Sequence, residues 1–138
     1  MSSEAERIKS PQAGLKRQAR GQLSMLLLQF LVGLALSRVG LPAATSGFAK
    51  VAAIVLLALH LLLTIGLIAS AIICITGAGR LPKSAAGVAW GGFVAVLVAV
   101  ATGVLFYMTG SDWWSYLMGA AATIALPLYG ILYLRSMA

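Results

Sequence analysis

FAKVAAIVLLALHLLLTIGLIASAIICIT, residues 48–76, contains no acidic side chain, one cation near its start (Lys50) and one imidazole, His60. A helix of this length runs about 43 Å at about 1.5 Å per residue, against about 30 Å for the hydrocarbon core of a bilayer. So long an apolar run reads as a membrane span, with the surplus length taken up by tilt or by extension beyond the outer surface.

Three more runs surround it. Residues 22–39 precede it and end at Gly40 and Pro42, with LPAATSG as the loop. Residues 85–108 follow the polar turn GAGRLPKS (77–84), and residues 113–134 follow TGSD. The expected fold is all-α, a membrane protein with four transmembrane helices in an antiparallel bundle spanning 22–134. Residues 1–21 form a basic N-terminal segment. Ser10 and Pro11 are a cap and a first helical residue, so a short interfacial helix is expected over about 11–20, running into the first span. Residues before Ser10 are expected to be disordered. A cleaved signal peptide is disfavoured, because the first apolar run and its basic leader are both longer than such signals carry.

Composition agrees. The chain of 138 residues is 61% hydrophobic and 9% charged, with a mean hydropathy of +0.99. Soluble domains carry about 25% charged residues. The net charge of +7 is not a nucleic-acid footprint, since five of the ten Lys and Arg lie in the first 20 residues and the others sit singly at run ends. That distribution orients a membrane protein. The N-terminal segment, the 77–84 turn (Arg80, Lys83) and the C-terminus (Arg135) hold eight cations, while the opposite side holds Arg38 and Lys50. Both termini are therefore expected in the cytoplasm. Trp113, Trp114 and Tyr116 at one level, with Tyr129 and Tyr133 toward the other and Trp90 near a span end, suit interfacial aromatic belts. The single Cys74 cannot form an intrachain disulfide and is expected as a small packing residue.

Helices in lipid associate through close backbone approach and polar contacts. The third run has small residues at Gly87, Gly91, Ala95, Ala99 and Gly103, the second at Gly66, Ser70 and Cys74, and the first Gln29, Gly33 and Ser37. The five-residue stripe is a helix-packing face, serving either the bundle itself or a docking partner. Gln29, His60, Thr64 and Thr123 are expected as a polar cluster at the midplane, with Thr102 as a further polar position. Pro127 has no N–H for the Thr123 carbonyl. Neutral His60 is thus expected to donate to that carbonyl, to the Thr123 hydroxyl or to Gln29, as a buried polar group in lipid requires.

Chemistry of other kinds lacks its residues. No span contains Asp, Glu, Lys or Arg away from its ends, which ion- and proton-coupled transporters need. One His excludes a catalytic triad beside a remote Asp, and paired carboxylates, a His/Cys metal cluster and a phosphate-binding glycine loop are missing from the sequence. No catalytic residue, resident metal or enzyme activity is expected.

LLLQFLVG (Gln29, Phe30, Gly33), LALHLLLTIG (Leu59, His60, Gly66), the glycine-rich third run and TGSDWWSYLMG (Gly110, Ser115, Met118) resemble a family of small uncharacterised four-span bacterial integral membrane proteins. The likeness covers about residues 22–134 and implies four helices and a recurring His60 position, without an activity. The Ala, Gly, Leu and Val bias points to a bacterium with a GC-rich genome, hence to its cytoplasmic (inner) membrane. The expected function is a non-enzymatic accessory or assembly subunit, with the lipid bilayer and either a larger membrane complex or a second copy as partners. The alternatives are a homodimeric haem- or quinone-binding protein using His60, since imidazole serves both ligands, and a small facilitative transporter. The clustered N-terminal cations suit either anionic lipid or a plain topological anchor.

Overall fold

A computed structural model describes residues 11–80 and 83–137. The cap at Ser10, the segment before it and the middle of the 77–84 turn lie outside the described residues. Four long helices make up the structure: α1 (Pro11–Val39), α2 (Gly47–Ala78), α3 (Lys83–Thr109) and α4 (Asp112–Arg135), with a single 3-10 turn at Pro42–Ala44. Among the described residues there is no strand. All four helices are long and apolar enough to cross a membrane.

The helices stop where the chain chemistry stops them. Gly40 closes α1 with φ 92 and gives its N–H to the Leu36 carbonyl at 2.8 Å. Gly110 does the same for α3, with φ 66 and a 2.8 Å bond to the Phe106 carbonyl. Such left-handed caps satisfy end carbonyls without a Cβ clash. At its other end α1 runs from Pro11 into the first span without a break, as a helix over about 11–20 leading into that span would. It is one continuous helix, because Leu15 and Ala19 are buried against the bundle and Lys16, Arg17 and Arg20 point outward. Residues 11–21 are therefore an extension of the first span.

Neighbours pack in ring order. α1 meets α2 and α4, α3 meets α2 and α4, and the diagonal pairs α1/α3 and α2/α4 make no close backbone approach. Contacts between α1 and α2 run in descending register: Leu15 over Gly77, Gln18 with Ser70, Met25 over Gly66, and His60 over Gly33. Those between α3 and α4 do likewise, from Ser84 with Arg135 through Gly91 under Leu128 to Gly103 under Met118.

The interior is made of small residues. Ala19, Ala53, Ala71, Ala78, Ala89 and Ala125 are fully buried, whereas Leu31, Val55, Leu62, Ile65 and many other large apolar side chains face outward. Water would not tolerate so large an apolar surface on a monomer. Lipid does, and small residues then bring backbones close enough for dispersion forces to hold them. A few leucines, among them Leu15, Leu67 and Leu132, share this interior, and the largest side chain wholly inside it is a tyrosine. Tyr129 has 0% exposure, and its ring lies 2.9 Å from where a Cβ on Gly92 would stand. It was expected in an interfacial belt; instead it is the central knob of the bundle, on a helix face that turns inward.

The i,i+4 stripe on α3 is only partly one face. Successive i,i+4 positions rotate by about 40° on a straight helix, so five of them sweep about 160°. Gly91 and Gly103 sit beneath α4 side chains and Ala95 is buried, Ala99 is half-buried, while Gly87 is exposed with nothing near it. Most of the stripe is already taken by α4.

Gly92→Ala should cost about 1–3 kcal/mol by forcing Tyr129 off its seat. Gly87→Ala should change stability by less than about 0.5 kcal/mol. Denaturant titration of the two variants in micelles checks both.

Candidate functional site

Three glutamines on α1 organise the polar chemistry of the bundle. Gln18, Gln22 and Gln29 are spaced by four and seven residues, which places them within about 40° of one another around the helix. All three reach α2. Gln18 Nε2 donates to Ser70 Oγ at 2.8 Å, and Gln22 Nε2 donates to the Leu67 carbonyl at 3.2 Å. Gln29 Nε2 lies 2.9 Å from His60 Nε2 and donates to Thr64 Oγ1 at 2.8 Å. Thr64 Oγ1 in turn donates to the His60 carbonyl at 2.8 Å. Gly33 makes room for the imidazole, whose Cε1 is 3.4 Å from where a Cβ would stand.

Of the expected midplane cluster, then, Gln29, His60 and Thr64 come together and Thr123 does not. Thr123 is exposed on α4, across the ring from α2, and its hydroxyl donates to the Gly119 carbonyl of its own helix at 2.8 Å. Threonine satisfies itself this way wherever no neighbour competes. Thr102 does so too, bonding to the Val98 carbonyl at 2.7 Å. A midplane cavity shared by Gln29, His60 and Thr123, on which the facilitative-transport alternative depended, is not formed by this arrangement.

The protonation pattern at His60 follows from Gln29. With the amide oriented as it stands, both of its N–H groups are given away, so His60 Nε2 accepts and the ring proton sits on Nδ1. That leaves two complementary atoms without partners, His60 Nδ1 as donor and Gln29 Oε1 as acceptor, both buried. A second such place lies deeper. Tyr129 Oη and Gln22 Oε1 are buried without partners, although the Tyr129 hydroxyl neighbours the Gln22 amide and Cys74. Neither oxygen makes a hydrogen bond. Residues from α1 (Gln22), α2 (Cys74), α3 (Gly92) and α4 (Tyr129) thus meet around one hydroxyl.

Ligation of haem iron requires an open ring nitrogen. In His60, Nε2 is engaged by Gln29 and Nδ1 is shielded beside Gly33. Among the described residues no three His, Cys, Asp or Glu side chains gather as metal ligands.

Gln18, Gln22, Ser70 and Tyr129 were not singled out as polar-site residues from the sequence. The spacing of the three glutamines was available, but Gln18 and Gln22 read as part of the basic leader and the edge of the span. Only the continuity of α1 brings them onto one face with Gln29.

Gln29→Leu should destabilise the bundle by about 1 kcal/mol, since it strands His60 Nε2 and Thr64. Thr123→Val should lie within about 0.5 kcal/mol of the parent. Nitrogen-15 NMR of His60 should report the Nδ1–H tautomer in the parent and lose that preference in Gln29→Leu.

No protein-family model, curated protein or solved structure matches this chain.

Proposed function

We propose that the chain is a multi-pass protein of the bacterial cytoplasmic membrane, an antiparallel four-helix bundle with both termini in the cytoplasm. In this reading it is a non-enzymatic accessory subunit of a larger membrane assembly. The observation that carries the non-enzymatic part is the use made of the intramembrane polar groups. Gln18, Gln29, His60, Thr64 and Ser70 spend their hydrogen bonds tying α1 to α2. Descending contact registers support the antiparallel course. The orientation is supported by Lys16, Arg17, Arg20, Arg80, Lys83 and Arg135, which the Leu15–Gly77, Lys16–Tyr133 and Ser84–Arg135 contacts gather at one end.

A partner helix needs a place to approach closely. The α3 stripe does not supply it, because α4 covers most of it. The outer face of α4 does: Ala120, Thr123 and Pro127 are exposed, and Gly119 has nothing within 4 Å of a notional Cβ. Pro127 also leaves the Thr123 carbonyl without its helical donor, on a surface where lipid offers none. The occupant of this face is, in this reading, a transmembrane helix of another subunit.

Protein solubilised gently from its native membrane should migrate on native gels well above the 14.3 kDa monomer. Gly119→Ile should release it to the monomer position and Gly87→Ile should not. Monomer alone in the parent ends this reading, and a band at twice the monomer mass replaces the larger complex with a second copy. C-terminal fusions should show fluorescent green fluorescent protein and silent alkaline phosphatase; the reverse pattern overturns the orientation.

One atom favours a second reading. The unpaired Nδ1–H of His60 is a donor suited to the carbonyl of a quinone, which would have to part α1 from α2 at Gly33 to reach it. An oxidised and dithionite-reduced spectrum with lipid extraction tests it: bound quinone, or a Soret band, lost in His60→Ala would put a cofactor at this position.

A further inference from the structure

At the end of the bundle where α1 begins and α4 finishes, Lys16, Arg17 and Arg20 line a half-open cleft of about 170 Å³ together with Tyr133. Lys16 Nζ stands 5.9 Å from the centroid of the Tyr133 ring, which fixes the ammonium across the α1/α4 groove. The three cations project from one side of α1, because Leu15, Ala19 and Gln22 on the opposite side are buried. Their only described carboxylate in the chain, Asp112, starts α4 at the far end of the bundle. Like charges three and four positions apart on a helix, as Arg17/Arg20 and Lys16/Arg20 are, repel each other. Nothing among the described residues relieves this.

We propose that this cleft binds the phosphate of an anionic phospholipid headgroup. Arg17 and Arg20 supply planar forks that match phosphate oxygens in pairs, and Lys16 supplies a point charge held over Tyr133. Basic pockets between span ends on the cytoplasmic side are suited to such headgroups, including those with two phosphates. The lipid source, in place of a free anion, follows from what lies below the cleft. Seven residues on from Arg20, along the same side of α1, come Leu27 and then Leu31 and Leu34, all exposed. On α4, Leu126 and Ala122, seven and eleven residues back from Tyr133 and on its side of the helix, are half-buried and flank the same path. An acyl chain can lie along these side chains while its phosphate sits among the cations. The inference needs a membrane-spanning bundle but no partner subunit, so it stands or falls apart from the accessory role proposed above.

The whole chain, stripped of lipid in neutral detergent, is titrated with phosphatidylglycerol, cardiolipin or phosphatidylcholine, and native mass spectrometry reads the bound lipid. One anionic lipid per chain is expected at concentrations where phosphatidylcholine does not bind. At about five-fold per cation, Lys16→Gln/Arg17→Gln/Arg20→Gln should weaken retention about 100-fold. Because that variant can insert wrongly, Arg17→Lys/Arg20→Lys serves as the second: it keeps the topology signal, and it should still bind several-fold more weakly for want of the forks. Arg80→Gln/Lys83→Gln, at the same end but outside the cleft, should bind like the parent. Equal loss in that control, full retention in the Arg-to-Lys variant, or equal binding of phosphatidylcholine overturns the site. Complete displacement by millimolar inorganic phosphate overturns the lipid as its ligand and leaves a free-anion site.

Discussion

Hydrocarbon offers a helix neither a hydrogen-bond partner nor a hydrophobic reason to leave it, and the architecture of this chain follows from that. Without a water-driven collapse, helices stay together only where backbones come close enough for dispersion to accumulate or where polar groups find each other. The bundle uses both devices but weights them differently in its two pairs. α3 and α4 approach through Gly91, Gly92 and Gly103, receiving Leu128, Tyr129 and Met118. α1 and α2 are joined by side-chain hydrogen bonds from Gln18, Gln22 and Gln29. Most large apolar side chains then turn to the lipid, Tyr129 and a few leucines excepted, which inverts the usual soluble arrangement.

Tyr129 is where the two halves meet. Its ring rests on Gly92 of its own pair, and its hydroxyl reaches the Gln22 amide and Cys74 of the other. A hydroxyl buried among helices without a bond of good geometry is a costly thing to retain. Its position makes Tyr129 a contact between the α3/α4 pair and the α1/α2 pair. A change at Gly92 is therefore expected to be felt at Gln22, although α1 and α3 do not approach each other.

Polar side chains near the midplane divide by whether a neighbour is in reach. His60 and Thr64 face α1 and are bound by Gln29. Thr123 and Thr102 close onto their own carbonyls, and the sequence expectation of a His60–Thr123 link failed for that reason. Equal depth along a span does not make contact when two helices stand at opposite corners of a ring. The same limit applies to the small-residue stripe on α3, whose period of four rotates slowly around the helix and leaves Gly87 on the outside.

Sequence alone determined that there are four long apolar helices, where they break, and which ends carry the cations. These are matters of helix rise against bilayer thickness, of Gly40, Pro42 and Gly110 as stops, and of charge counting, all local to the chain. It also identified His60 as the one imidazole needing a partner. The ring order of the helices, the choice of Gln29 over Thr123, the burial of Tyr129 and the cleft of Lys16, Arg17, Arg20 and Tyr133 were decided by tertiary structure. Each depends on the rotation of one helix about its axis relative to another. In spans apolar on every side, no polar face in the sequence records that rotation.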